Sequence, residues 1–232
     1  VDRSRGLGDV YKRQTVDWIG GFGSARYNTE QLTAFGVFGW TSSSFTVTDH
    51  FTPYNSSTHK SSFQSSGEGG ALMLTNNNLT GTQLKLGARY FLSPAMSVFA
   101  NFGSINKVPI LDQAIDDEDY LIIENPVQEN FTSIEIGTRA SLMNNQLTVN
   151  AVYYNSQWND RQARKYAQNA DGTSIVANLE GLDQLHTGFE VEVAYQPMSL
   201  LRIDAALGIG NWTYTAVSYT HPEPTRPIHI SY

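Results

Sequence analysis

The second half of the chain alternates apolar and polar residues over unusually long runs, and this alternation restricts the possible fold most strongly. Residues 130–158 and 184–214 each contain two such runs with a tight turn between them, at Asn144-Asn145 and at Pro197-Met198. Successive side chains of a β-strand point to opposite faces of a sheet, so a period of two places each set on one face. The pattern therefore predicts two antiparallel β-hairpins.

The two faces of these predicted strands differ in chemistry. One face is aliphatic, with Val98, Ile134, Val149, Val191 and Ile203 as examples. The opposite face carries Lys85, Arg89, Glu135, Arg139, Glu190, Glu192, Arg202 and Asp204. In a large transmembrane barrel the outer face meets lipid and the inner face meets water or a plug, so these eight residues are candidates for the lumen-facing surface. A polar wall that only solvates the lumen would show the same pattern.

The first half of the chain predicts two further hairpins. Residues 31–40 and 45–51 read as strands with a turn at 41–44, and residues 83–91 and 96–103 as strands joined at Ser93-Pro94. Residues 15–30 are Gly-rich and aromatic and are interpreted as a loop. No helical period of 3.6 residues persists anywhere, so the chain is predicted to be all-β with about eight strands.

The lengths of the connections alternate along the sequence. Tight turns are predicted near Ser43, Pro94, Asn144 and Pro197, whereas the segments 53–78, 104–129 and 159–183 are long and polar. Soluble domains seldom contain several unstructured loops longer than about 12–15 residues. Outer-membrane barrels combine short periplasmic turns with long external loops.

These features predict an antiparallel up-and-down sheet of about eight long strands, part of a large transmembrane β-barrel. An open wall is favoured over a closed eight-stranded barrel, because Glu and Arg recur on the inward face with little bulky filling. A soluble β-sandwich also alternates, but its strands average about five or six residues. At strand ends, Trp158, Trp212 and Tyr214 are interpreted as membrane-interface aromatics, a role that aromatics capping a soluble sheet would mimic.

Composition excludes several classes of function. The net charge of -7 argues against a nucleic-acid partner, and the absence of cysteine excludes disulfides and thiolate metal sites. No catalytic motif occurs, and the five histidines lie in different segments without metal-ligand spacing. The sequence therefore predicts no enzyme, no cofactor and no metal site. The acidic run Asp116-Asp117-Glu118-Asp119 could bind a cation or could be a solvated loop.

Both ends of the chain differ from the rest. Residues 1–14 are basic and have no period, and residues 217–232 hold four of the eight prolines. Residues 1–14 and 217–232 are interpreted as a non-native leader and tail, and disordered natural termini are the alternative. Residues 15–216 are interpreted as the barrel portion.

Several motifs in this portion resemble the barrel of TonB-dependent outer-membrane receptors, in particular the branch with an N-terminal carboxypeptidase-regulatory-like domain. The motifs are an E-x-G strand, a tyrosine-rich strand ending in W-x-D-R, and a G-x-E-x-E strand before a proline turn. In this sequence they are Glu135-Ile136-Gly137, Tyr153-Tyr154 to Trp158-Asn159-Asp160-Arg161, and Gly188-Phe189-Glu190-Val191-Glu192 before Pro197. The resemblance covers roughly residues 31–215.

The resemblance implies a place in the outer membrane of a Gram-negative bacterium, with outer-membrane lipid as a partner. It also implies TonB-energised uptake of a scarce small solute, such as a siderophore, a metal complex or a glycan. A plug domain and TonB would be partners of the intact protein, but neither a plug nor a TonB box precedes the barrel residues here. Family barrels have about 22 strands, so the chain is interpreted as an internal barrel fragment. Alternatives are a passive porin-like or structural barrel and a soluble carbohydrate-binding β-sandwich.

Overall fold

The computed structural model describes residues 12–64, 67–116, 119–168 and 174–218, with the backbone alone described for 163–168, 174–180 and 216–218. These residues are almost entirely β-structure, and α1 is a single turn of helix. The elements are β1 Lys12–Asn28, β2 Leu32–Pro53, β3 Ala71–Ser93, β4 Met96–Asn106, α1 Leu111–Ala114, β5 Ile115–Asp116, β6 Leu121–Ile122, β7 Asn130–Leu142, β8 Leu147–Gln168, β9 Ser174–Met198 and β10 Leu201–Ser218. No helix in the described part of the chain is long and apolar enough to cross a membrane.

Eight of the strands form one antiparallel sheet in the order β1-β2-β3-β4-β7-β8-β9-β10, while β5 and β6 pair separately. Every neighbour in the large sheet follows in sequence, apart from the small inserted pair, so the topology is up-and-down. In the described residues β1 and β10 are edge strands and the sheet is not closed. The predicted all-β fold and open up-and-down sheet are confirmed. The β-sandwich alternative is wrong, because the eight long strands form a single sheet.

The first two strands differ from the prediction, although the number of long strands agrees. Residues 15–30 lie mostly in β1 rather than in a loop, and no turn interrupts β2 at 41–44. The Ser/Thr run at 41–44 resembles a turn locally, but in the sheet it continues the pairing of β2. The hydroxyl of Thr41 donates to the carbonyl of Ile19 on β1, and the hydroxyls of Thr46 and Thr75 on β3 lie 3.2 Å apart.

The tight connections lie at 29–31, 94–95, 143–146 and 199–200, and the long ones at 54–70 and 107–129. The predicted loop 159–183 is wrong, because β8 continues to Gln168 and β9 begins at Ser174. Residues 169–173 lie outside the described residues. At the third turn, Asn144 and Asn145 have φ angles of 55° and 66°. Asparagine tolerates this left-handed region better than most residues, which explains why the local sequence located the turn correctly.

The chain divides into two compact units. One comprises Val1–Ala25, Gly36–Leu84 and Ile105–Gln128, and the other Arg26–Phe35, Lys85–Ser104 and Glu129–Tyr232. In the first unit a hydrophobic core forms between β2, β3 and the segment after β4, from Phe45, Val47, Leu74, Leu79, Ala114 and Ile115. In the second unit, β7–β10 pair in a continuous register along their lengths.

Candidate functional site

The register of β7–β10 arranges their side chains in rows across the sheet. Directly opposed residues of antiparallel strands share a face, so each row presents one face only. The face that carries Glu135 is called the polar face here, and the face that carries Ile134 the apolar face. From the tight-turn end upward, the polar face has the rows Arg139–Asn150–Glu192–Ala206, Gly137–Val152–Glu190–Gly208, Glu135–Tyr154–Gly188–Gly210, Ser133–Ser156–His186–Trp212 and Phe131–Trp158–Gln184–Tyr214.

The lowest part of the polar face is a charged groove of about 440 Å³. Arg139, Glu192, Arg202 and Asp204 all border it, so the structure brings half of the eight candidate residues together. Arg202 and Asp204 form an ion pair of 2.8 Å, and the side chain of each is 61% exposed. The amide of Asn150 donates to the Glu192 carboxylate at 3.5 Å. Exposed ion pairs contribute little stability, so these charges shape the surface rather than hold the fold.

A second group of candidate residues lies on β3, β4 and β7. The Asn101 amide donates to the Glu135 carboxylate at 3.1 Å. The Arg89 guanidinium lies 5.7 Å from the centre of the Phe99 ring, within the range of a cation–π contact. Lys85 and Glu190 are exposed. Which of these side chains face a lumen remains a prediction.

Aromatic rings lie over glycines on the neighbouring strand, a feature that the sequence analysis missed. A Cβ atom at Gly87 would clash with the Phe35 ring, one at Gly137 with the Phe99 ring, and one at Gly188 with the Tyr154 ring. These glycines are therefore required for close side-chain packing, since none of them has a positive φ angle. A glycine opposite or diagonal to an aromatic residue would have been the sequence signal, but it is readable only once the register is known.

The upper two rows form what we call the aromatic band: Phe131, Trp158, Gln184, Tyr214, His186 and Trp212. The Trp158 indole N–H donates to Glu129 at 3.3 Å, and Phe131 meets the Trp158 ring edge-on at 5.9 Å. The Trp212 indole N–H donates to the Tyr154 hydroxyl at 3.1 Å, and the His186 ring lies 6.0 Å from that of Trp212. The interpretation of Trp158, Trp212 and Tyr214 as membrane-interface aromatics is therefore wrong, because they lie on the polar face.

In the first unit, the segment between β4 and β7 folds back onto β2 and β3. We call its described residues, 107–116 and 119–128, the cap. Ala114 and Ile115 of the cap are 0% and 1% exposed and pack against Phe45 and Leu74. The Asn76 amide donates to the carbonyls of Ala114 at 2.9 Å and Ile123 at 2.7 Å. The cap is therefore a folded element rather than the polar loop that the sequence predicts for 104–129.

The edge of the cap is fixed by a carboxylate. The Asp49 carboxylate accepts hydrogen bonds from the Tyr120 hydroxyl at 3.1 Å and from the backbone N–H groups of Phe51 at 2.8 Å and Thr52 at 3.0 Å. Burial raises the pKa of Asp49, but these hydrogen bonds and one from the Thr52 hydroxyl outweigh it and leave the pKa below its usual value. The ring of His59 packs edge-on against Tyr120 at 5.6 Å.

Another groove, of about 520 Å³, lies in the first unit. Gly20, Gly39 and Gly81 form part of its wall, and Trp18 and Phe22 flank it with exposures of 73% and 80%. The described residues contain no group of three or more His, Asp or Glu side chains placed to hold a metal ion. Of the acidic run at 116–119, Asp117 and Glu118 lie outside the described residues.

A family model described as "TonB dependent receptor-like, beta-barrel" matches residues 2–228. The chain belongs to this TonB-dependent receptor β-barrel family. The match extends beyond the 31–215 of the motif resemblance. The separate interpretation of 1–14 and 217–232 as non-native stays a prediction. Among curated proteins, no sequence matches this receptor barrel.

Solved structures show the same fold as this receptor barrel at low sequence identity. The copper transporter OprC superposes with a TM-score of 0.61 at 16% identity, covering 87% of this chain and 30% of that one. The ferric-catecholate import receptor Fiu from E. coli K12 gives 0.55 at 13%, covering 88% and 29%. The pyoverdine receptor FpvA from Pseudomonas aeruginosa PAO1 gives 0.54 at 17%, covering 93% and 28%. The chain thus spans less than a third of the length of these proteins.

Proposed function

We propose that this chain is the wall of an outer-membrane receptor and transporter that takes up a scarce solute with energy delivered by TonB. The observation that carries the proposal is the sheet itself, in which one face is charged and the other aliphatic along continuous strands. Only a wall with water or a plug on one side and lipid on the other requires both faces in this form. Family membership supports the same role.

The proposed orientation follows from strand length. A transmembrane β-strand needs about 9–11 residues, whereas β2, β3, β8 and β9 have 22, 23, 22 and 25. These strands would cross the membrane near the tight turns and extend beyond it on the side of the long connections. The polar face, with Lys85, Arg89, Glu135, Arg139, Glu190, Glu192, Arg202 and Asp204, would line the lumen, and the apolar face would meet lipid.

Single cysteines test this orientation, because the chain has no native cysteine. Ser57→Cys, in the long connection 54–70, is expected to react with a membrane-impermeant maleimide on whole cells. Ala95→Cys, in a tight turn, is expected to react only after the outer membrane has been permeabilised. Labelling of Ala95→Cys on intact cells at the rate of Ser57→Cys would reverse the proposed orientation.

Energy dependence tests the transport role. The full-length receptor is expressed in a strain that lacks its own uptake systems, with and without functional TonB. Uptake of a radiolabelled panel is then measured, made up of a ferric tris-catecholate, a ferric hydroxamate and neutral oligosaccharides. We expect uptake of at least one class to require TonB. Uptake that continues unchanged without TonB would instead support the alternative of a passive porin-like barrel.

A further inference from the structure

We infer that the aromatic band is a binding surface for a neutral, ring-bearing solute, and that oligosaccharides are the substrate class. This inference rests on the proposed function, because the band becomes a solute site only if the polar face lines the transport path. The band is the most aromatic part of the polar face of β7–β10. It lies at the ends of the strands furthest from the tight turns.

The rings of the band divide into supporting and available ones. Trp158 is half-buried, and the Arg161 guanidinium lies 4.6 Å from its ring centre while Phe131 meets it edge-on. Trp212 and Tyr214 are 69% and 64% exposed. The stacking surface available to a solute is therefore the pair Trp212 and Tyr214, with Trp158 behind it.

The available ring of Trp212 is held in place before any solute binds. Its N–H donates to the Tyr154 hydroxyl, and His186 lies against it with an interplanar angle of 34°. Tyr154 in turn occupies the space that side chains at Gly188 and Gly210 would fill. A ring fixed in this way stacks on a solute without the entropic cost of ordering a mobile side chain.

Charge argues for a neutral solute. The charged side chains described in and beside the band are Glu129, Glu135, Asp160, Asp183 and Arg161. Arg161 is engaged, since its guanidinium donates to the Gln184 carbonyl at 3.0 Å and covers Trp158. Four carboxylates against one committed cation would repel an anionic chelate, whereas hydroxyl groups of a sugar accept and donate hydrogen bonds at such a surface.

Sugar rings fit the remaining chemistry of the band. Tryptophan and tyrosine combine a large apolar surface with a polar handle, which suits a ring that has apolar faces and a hydroxylated rim. Ser133, Ser156, Gln184 and His186 lie within the same two rows and supply hydroxyl, amide and imidazole groups next to the rings. Small-solute sites commonly combine aromatic walls with a few such polar groups.

Binding of defined oligosaccharides to the detergent-solubilised full-length receptor tests the inference. The probes are linear neutral hexasaccharides of glucose, xylose and mannose, and a ferric tris-catecholate serves as the anionic comparison; binding is followed by calorimetry. We expect at least one hexasaccharide to bind. Trp212→Ala should weaken that binding by about tenfold or more, and Trp212→Phe by much less, because the phenyl ring still stacks.

A matched control uses an exposed aromatic residue on the opposite face of the same strands. Phe189 lies on the apolar face of β9 and is 48% exposed, so Phe189→Ala is expected to leave oligosaccharide affinity unchanged. Circular dichroism and the heat-dependent gel mobility of the barrel verify that each variant is folded.

Two outcomes would overturn the inference. One is that no hexasaccharide binds, and the other is that Trp212→Ala binds as tightly as the unaltered receptor. If uptake of the ferric catecholate requires TonB while no hexasaccharide binds, the transport role stands and the assignment of oligosaccharides falls. If neither class is taken up in a TonB-dependent way although a hexasaccharide binds at Trp212, the binding surface stands and the transport role falls.

Discussion

Replacing Asn76 by alanine removes the side chain that ties the cap to β3. Asn76 is 7% exposed, and its amide donates to the carbonyls of both Ala114 and Ile123. Ala114 also accepts a hydrogen bond from the N–H of Ile123 at 3.1 Å, so its carbonyl keeps one partner in the variant. We therefore expect the loss of two hydrogen bonds without a fully unsatisfied buried carbonyl, at a cost of about 2–3 kcal/mol in cap docking.

The docking free energy can be measured through a buried cysteine in the otherwise cysteine-free chain. Ala114 is 0% exposed, so the thiol of Ala114→Cys reacts with a maleimide only when the cap opens. If opening is in rapid equilibrium, a cost of 2–3 kcal/mol corresponds to labelling that is about 30- to 100-fold faster in Asn76→Ala. The hydrophobic contacts of Ile115 remain in both proteins, so the cap should still dock most of the time.

The neighbouring asparagine provides the control. Asn77 is exposed, so Asn77→Ala in the same Ala114→Cys background is expected to change labelling by less than about threefold. The reasoning would be refuted if Asn76→Ala accelerated labelling no more than Asn77→Ala does. In that case the apolar contacts alone would hold the cap, and the buried amide would contribute nothing specific.

Three further predictions concern the faces of the sheet and the acid stability of the cap. In the full-length receptor in lipid, Val191→Arg on the apolar face should cost about 2–4 kcal/mol in urea unfolding, and Glu192→Gln on the polar face much less; equal costs would contradict the proposed orientation. Gly137→Ala should cost about 1–3 kcal/mol because the new Cβ meets the Phe99 ring, whereas Gly103→Ala, with nothing within 4 Å, should cost less than about 0.5 kcal/mol; the two unfolding midpoints decide it. The lowered pKa of Asp49 means that its carboxylate stabilises the cap above its unfolded pKa of about 3.9, and that this stabilisation is lost as the pH falls through the folded value. Pepsin cleavage of the cap should therefore rise between about pH 4 and pH 2, and it should rise less in Asp49→Asn, whose amide has no such titration.

The sequence by itself determined the class of the fold and the arrangement of its second half. Period-two alternation is a local property, so the faces of Ile134, Glu135, Val191 and Glu192 could be read without knowing any partner strand. Tight turns are local as well, which is why Asn144-Asn145 and Ser93-Pro94 were located correctly. The same alternation correctly predicted a single up-and-down sheet.

Only the tertiary structure decided where strands end and which residues meet. β1 was read as a loop and β2 as two strands, because glycine and serine have low strand propensity until a neighbouring strand pairs with them. The extensions of β8 and β9 through 159–168 and 174–183 have the same cause, since their polar composition is typical of loops.

The candidate surfaces depend on contacts between residues far apart in sequence. Tyr154 meets Gly188 and Trp212, and Asn76 meets Ala114 and Ile123, across separations that no local pattern encodes. Arg139, Glu192 and Asp204 were each predicted to lie on the polar face, but that they border one groove follows from the register of four strands. Register is set by the summed pairing of whole strands, so it becomes readable only when the sheet is assembled.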